Sequence, residues 1–218
     1  ELVNNVKYFS ENVIPAEKED FGLILMENRP EWIYTYFALW DRKAIPIALD
    51  STSSSKEILY VLGDSDPKFI ICSNESEKNV REAVSMYEKG EITVINVDNH
   101  PIDENKLEVI RNSNFELENP EGDSIATMLY TSGTTGSPKG VMLTFNNLSS
   151  ELEGLEKKDL LEPTDQILAL LPFHHVLPLT ATVLIILQHQ ASMVFVKKIA
   201  SKEILDALDK NNVTALVG

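Results

Sequence analysis

The chain has 218 residues, with 19 Lys and Arg against 34 Asp and Glu and a formal net charge of −15. That balance excludes a broad phosphate-gripping face of the kind that binds nucleic acid, so an anionic ligand has to be held locally. With 43% hydrophobic residues the chain can bury a sizeable core in one large domain or two small ones, which excludes global disorder.

Apolar runs of strand length alternate with longer helix-periodic stretches. This is the pattern of repeated βα units, an α/β fold with largely parallel sheets covered by helices. A first strand is expected over residues 21–26. Arg29-Pro30-Glu31 then opens a helix, with proline in the first turn where no N–H is needed, and Ile33, Tyr36, Phe37 and Trp40 on one face. Ile45–Leu49 reads as the next strand. Ser51-Thr52-Ser53-Ser54-Ser55 is a loop, a phosphate cradle or a set of helix N-caps for residues 56–63. With no glycine there to free the backbone, loop and capping is the preferred reading.

Strands follow at 68–72 and 92–97, separated by a helix over roughly 75–89. Residues 99–119 are polar and read as a surface connection with a short helix at Glu104–Arg111. The stretch 100–123 is the one plausible seam between subdomains. The second half repeats the alternation: strand 124–130, short strand 141–143, helix 145–159, strand 166–170, helix 179–188, strand 191–196, helix 201–211 and an apolar run at 213–217. No internal repeat of fixed period is visible.

Residues 167–187 are mostly apolar and about long enough to cross a bilayer. Pro172, Pro178, His174 and His175 interrupt them, so a buried strand, loop and helix is expected rather than a membrane span. Cys72 is the only cysteine and allows no intramolecular disulfide. Glu1-Leu2-Val3-Asn4 lacks a basic-then-apolar leader, and a cytoplasmic location is the default expectation. The missing initiator Met, and the end at Gly218 straight after an apolar run, read as a piece of a longer protein.

Nine glycines are spread thinly, yet Gly133, Gly136 and Gly140 fall within eight positions, in Thr131-Ser132-Gly133-Thr134-Thr135-Gly136-Ser137-Pro138-Lys139-Gly140. Glycines let a backbone approach a ligand closely, five hydroxyls supply donors and Lys139 adds one positive charge, which together suit a polyphosphate. A Walker P-loop is excluded, because Pro138 separates the second glycine from the lysine.

The string from Leu129 through this loop to Val141 resembles the phosphate-binding signature of the acyl-adenylate-forming, or AMP-binding, superfamily. Glu27-Asn28-Arg29-Pro30-Glu31-Trp32, Ala44-Ile45-Pro46-Ile47 and the stretch around Gly63-Asp64-Ser65 resemble its early βα units, so the resemblance covers essentially the whole chain. Downstream, Leu170-Leu171-Pro172-Phe173-His174-His175-Val176 is similar to the family's acid-pocket pattern, in which His175 matches the histidine and His174 takes a position more often aromatic. A paired-His turn after a strand can also put one imidazole into a cleft while its neighbour points elsewhere, and a packed or surface role for either His stays open.

The resemblance implies part of the large N-terminal domain of an adenylate-forming enzyme, most like a fatty acyl-CoA synthetase. It implies that a carboxylate attacks the α-phosphate of ATP, giving acyl-AMP and pyrophosphate, and that coenzyme A then takes the acyl group. Thr131, Ser132, Gly133, Thr134, Thr135, Gly136 and Lys139 would contact the ATP phosphates, and His175 with His174 would shape the acid pocket. Mg²⁺ is expected with ATP, but its ligands, the adenine site and the adenylation lysine would lie past Gly218, so the 218 residues alone are expected to be inactive. Zinc is not expected, since Cys72 is the lone thiol and His100 and His189 lack ligand spacing to the pair. Fatty acid is preferred over aryl or amino acids, partly because Val183, Leu184, Ile185, Ile186 and Leu187 suit a greasy substrate, although core packing explains them equally well. A non-catalytic ATP-binding module is the alternative from another class. Oligomeric state, peripheral membrane contact and acid identity are left open.

Overall fold

Short runs rich in Ile, Leu and Phe build the centre of a six-stranded sheet. The computed structural model describes residues 1–113, 120–131, 138–158 and 161–217. In it β1 (Phe21–Leu25), β2 (Ile45–Leu49), β3 (Phe69–Cys72) and β4 (Thr93–Asn96) run parallel. The first three are almost wholly buried, as strands covered on both faces must be. β5 (Ile125–Thr131) joins parallel to β2, and β6 (Lys139–Thr144) closes the sheet antiparallel to β5, in the order β4-β3-β1-β2-β5-β6. The expected α/β class with mainly parallel strands is what the chain adopts.

The chain divides into two units. The first holds Glu1–Glu27 and Glu31–Thr144, and the second holds Asn28–Pro30 with Phe145–Gly218. Residues 100–123 fall inside the first unit, and the division comes after Thr144.

In the first unit, one sheet face carries Leu23, Leu25, Ile47, Ile70 and Cys72. It is covered by Ile58, Val61 and Leu62 of α3 (Ser55–Ser65) and by Val80 and Ala83 of α4 (Glu77–Ser85). Burial pushes the Cys72 thiol up to about 12, so it stays protonated and unreactive in the folded protein. The close approach of α2 (Pro30–Asp41) needs a glycine: a Cβ on Gly22 would lie 2.5 Å from the Phe69 ring and 2.9 Å from Leu39. The sequence pattern put Ile33, Tyr36, Phe37 and Trp40 on one face of α2. The buried residues are Trp32, Ile33, Thr35, Tyr36, Ala38 and Leu39, while Phe37 and Trp40 are partly exposed. The wider stripe arises because α2 packs on the sheet and also, through Tyr34 against Phe9, on a preceding helix. That helix, α1 (Leu2–Asn12), was not expected from the sequence, although Val6, Phe9 and Val13 recur at helical spacing and are buried. Tyr8 of α1 accepts a hydrogen bond from the Asp103 N–H at 3.0 Å, at the N-cap of α5 (Glu104–Arg111).

The serine run does act as a cap. Ser54 Oγ accepts from the Glu57 N–H at 3.3 Å, and the Glu57 carboxylate accepts from the Ser54 N–H and hydroxyl, both at 2.8 Å, closing a capping box on α3. These bonds hold the Glu57 carboxyl below its ordinary range. Ser54→Ala is therefore expected to cost about 1 kcal/mol in denaturant unfolding. Because the folded-state value is depressed, the Glu57 contribution is present above the ordinary glutamate range and is lost as pH falls through the lowered value. A Ser54→Ala penalty that does not shrink with acidification would contradict the capping box. α4 is shorter than the helix expected over 75–89, since residues past its end turn back to α3: Tyr87 donates to Asp66 at 2.6 Å and Lys89 to the Gly63 carbonyl.

The second unit has a three-stranded parallel sheet, with β7 (Gln166–Leu168) between β8 (Ser192–Val194) and β9 (Ala215–Leu216). Ile167 packs with Ile185 and Ile186, and Leu152 and Leu155 of α6 (Phe145–Glu156) close over them. The helix expected at 179–188 begins earlier: α7 (Val176–Pro178) runs into a π-helical stretch, Leu179–Leu184, and then α8 (Ile185–Gln188). Pro178 cannot donate in that first turn, and the Thr180 hydroxyl donates to the Val176 carbonyl at 3.0 Å. α9 (Ser201–Lys210) follows β8. Among the described residues, no helix is long and apolar enough to cross a membrane.

Candidate functional site

Of the residues expected to contact phosphate, the structure describes the two ends of the loop. Thr131 is the last residue of β5 and Lys139 the first of β6, and the two face each other as the final pair of an antiparallel ladder. Ser132, Gly133, Thr134, Thr135 and Gly136 lie outside the described residues. Both ends are exposed, and they bring a hydroxyl and an ammonium, a donor set suited to anionic oxygens.

The strand that ends at Thr131 is tied to its neighbours by side chains. β5 is fixed to β2 by Thr127, whose hydroxyl donates to the Pro46 carbonyl at 3.0 Å, and to α2 by Trp40, whose indole N–H donates to the Ala126 carbonyl at 2.6 Å. Pro46 has no N–H for the ladder, and its carbonyl gains this side-chain donor. Directly before the loop, the Tyr130 hydroxyl donates to Asp64 Oδ2 at 2.7 Å. Burial first, and then the Asp64 bond, push that hydroxyl well up, so it stays a donor across the working pH range.

His174 and His175 lie in the second unit. The sequence pattern allowed one imidazole to point away from the other, but the two rings are neighbours, with centroids 4.1 Å apart at 52°. They follow a tight turn in which the His175 N–H donates to the Pro172 carbonyl at 3.3 Å. His175 is exposed and occupies the N-cap of α7, where its carbonyl accepts from the Leu179 N–H at 3.0 Å; His174 is half-buried. The neighbouring Phe173 is buried and meets Phe195 edge to face.

A residue to which the sequence pattern assigned no role holds this turn in place. Asn28 Nδ2 donates to the carbonyls of Leu171 at 2.8 Å and Ala169 at 3.3 Å, and Asn28 Oδ1 accepts from the Phe173 N–H at 3.1 Å. One side chain thus satisfies three backbone groups just before the histidines. The only signal in the sequence was an Asn after a strand and before a proline-opened helix.

The apolar tract expected to suit a greasy acid serves as core: Val183, Leu184, Ile185 and Ile186 are buried, and Ile185 and Ile186 belong to the cluster around Ile167. It gives no support to a fatty substrate. Among the described residues, no group of three or more His, Cys, Asp or Glu could hold a metal ion, and magnesium is assigned no ligand.

The fold and sequence have known counterparts. ATP-bound MatB from Rhodopseudomonas palustris superposes with a TM-score of 0.79 at 24% identity, covering 100% of this chain and 43% of that one. O-succinylbenzoate coenzyme A synthetase from Bacillus subtilis, in complex with AMP, gives 0.78 at 26% identity over 99% of this chain and 54% of that one. Fatty acyl-CoA synthetase A of Dictyostelium discoideum is 34% identical over 143 residues, 58% of this chain and 21% of that protein. The 2-succinylbenzoate–CoA ligase of Bacillus subtilis is 28% identical over 210 residues, 92% of this chain and 38% of that protein. The chain therefore spans well under two thirds of the length of these relatives. A family profile described as AMP-binding enzyme matches residues 14–218, and with that match running over the paired Thr131 and Lys139 and the six-stranded sheet that carries them, the chain belongs to the AMP-binding enzyme family.

Proposed function

We propose that the protein carrying this chain activates a carboxylic acid with ATP and passes the acyl group to coenzyme A. In the first step a carboxylate oxygen bonds to the α-phosphorus while the bond to the β-phosphate oxygen breaks, releasing pyrophosphate. In the second a thiol sulfur bonds to the acyl carbon, AMP leaves and the thiol proton passes to solvent. Both steps must bring anions together, and preorganised donors lower that barrier. Lys139 and Thr131 supply charge and hydroxyl at the loop's ends, Ser132, Gly133, Thr134, Thr135 and Gly136 would contact the ATP phosphates with them, and His175 with His174 would border the acid. Magnesium would accompany ATP and neutralise part of the phosphate charge.

The observation that best supports this reading is the family match over residues 14–218 together with the Thr131–Lys139 pairing. A fatty acid is the preferred substrate, supported by the 34% identity to a fatty acyl-CoA synthetase. An aromatic dicarboxylic acid is the second reading, favoured by the longer alignment, 92% of this chain, to a 2-succinylbenzoate ligase. The test is acid-dependent pyrophosphate release from ATP by the native protein, with a panel of fatty, aryl, dicarboxylic and amino acids, with and without coenzyme A. Stimulation by fatty acids is expected. Stimulation by succinylbenzoate alone selects the second reading, and no release with any acid leaves a non-catalytic ATP-binding module. The 218 residues by themselves are expected to give no turnover, since the matched relatives are about twice as long or longer.

A further inference from the structure

We propose that Tyr60 and Asp64 of α3, acting with Tyr130, form a two-point brace that holds the two ends of the glycine-rich segment, at Tyr130 and Pro138, in place for ATP, making all three positioning residues. The proposal rests on the reading of that loop as a phosphate site. Tyr60 and Asp64 are four residues apart and so share one face of α3. The Tyr60 hydroxyl donates to the Pro138 carbonyl at 2.9 Å, and Asp64 accepts from Tyr130 at 2.7 Å. Pro138 immediately precedes Lys139 and Tyr130 immediately precedes Thr131. One helix therefore holds a residue on each side of the ladder end, Tyr130 and Pro138, each next to an expected phosphate contact.

The gripping helix is itself fixed. Its first turn is closed by the Ser54–Glu57 capping box, Ile58, Val61 and Leu62 are buried in the core, and Lys89 reaches the Gly63 carbonyl. Gly140, paired with Tyr130 across the ladder, makes room for the brace: a Cβ there would lie 2.8 Å from Met128 Sδ and 3.3 Å from Tyr130 Cζ. Both bonds are reached by solvent, with Tyr60 40% exposed and Tyr130 half-buried. Exposed hydrogen bonds add little to stability because water competes for both partners. Two such bonds, one at each end of the segment, fix where Thr131 and Lys139 stand, and small displacements of groups that meet a ligand are costly.

The experiment measures the ATP dissociation constant of the native protein by equilibrium dialysis, alongside KM for ATP and for the acid and the melting temperature. Tyr130→Phe, Tyr60→Phe and Asp64→Ala are each expected to weaken ATP binding by about 3- to 10-fold, with the acid KM unchanged and Tm within about 2 °C. Asp64→Asn, which keeps an acceptor oxygen, should regain most of the affinity lost in Asp64→Ala. The Tyr130→Phe/Asp64→Ala double variant should be no weaker than the worse single. Unchanged ATP affinity, or a loss shared equally by acid KM and Tm, overturns the brace. If the native protein binds ATP but releases no pyrophosphate with any acid, the catalytic reading fails while the ATP dissociation constants still decide the brace. A native protein that binds no ATP overturns both.

Discussion

Replacing Lys139 with alanine is expected to lower acid-dependent pyrophosphate release by about 10²- to 10³-fold, the range seen when one preorganised charge partner is removed from a transition state. Lys139 is the only cation among the ten residues of the loop, and it stands exposed at the first position of β6, opposite Thr131. Its backbone is fixed by the ladder while its side chain is exposed, so under the proposed reading its ammonium would follow the phosphates as charge builds on the departing pyrophosphate. Most of the loss should fall on turnover and the remainder on ATP affinity. Lys139→Arg should recover part of it, since the charge is kept and its shape changes. The competing account is that a lysine on an edge strand merely discourages pairing with other chains. Under that account the alanine variant would aggregate more readily and turn over normally, so kinetics on freshly gel-filtered protein separate the two.

The centre of the sheet was legible because β1, β2 and β3 are short, wholly apolar and separated by helix-period segments, and strands buried on both faces leave that mark. Ser54 could be read as a cap for the same kind of reason, a local one: its partner Glu57 is three residues away. Features set by tertiary neighbours were harder to read. α1 carries Asn4, Asn5 and Ser10 among its apolar positions, and the buried ones, Asn5 and Ser10, dilute the helical period that Val6 and Phe9 begin. The wide buried face of α2 follows from packing on two partners, which the period of one helix does not reveal. The early start of the helix at Val176 was hidden by Pro178, which reads as a breaker but sits in a first turn, where proline is tolerated.

The site divides along the same line. The glycine-rich loop is contiguous in sequence, so its glycines, hydroxyls and lysine could be picked out together. Tyr60 and Asp64 lie more than 60 residues from the loop they grip, and Asn28 lies more than 140 from Phe173. Side chains that position a site by bonding to distant backbone carry no local signature. The histidine pair was visible as a motif, but its ring arrangement and the bond from His175 to Pro172 are properties of the turn and not of the residue types.

Asn28 carries the second large effect. Asn28→Ala removes three hydrogen bonds to the backbone of Ala169, Leu171 and Phe173, and Ala169 and Phe173 are buried. At about 0.5 to 1.5 kcal/mol for each, with more where a buried group is left unpaired, the expected loss is about 2 to 4 kcal/mol of unfolding free energy. Freed of its clamp, the turn bearing His174 and His175 should also raise the KM for the acid while leaving that for ATP near its native value. Asn28→Asp sharpens the test. The carboxylate can still accept from the Phe173 N–H, but it sets negative charge against the carbonyls of Leu171 and Ala169, which Asn28 now supplies with donors. Ionisation is therefore disfavoured in the folded state, and the carboxyl's folded pKa lies above the unfolded value of about 3.9. The folded state then binds the extra proton, so stability of the variant rises as pH falls through the raised pKa towards the unfolded one and is lowest at neutral pH. Denaturant titrations of Asn28→Asp across the acid range should show this recovery relative to Asn28→Ala. A variant as stable as the native protein at neutral pH would mean that the three bonds do not hold the turn.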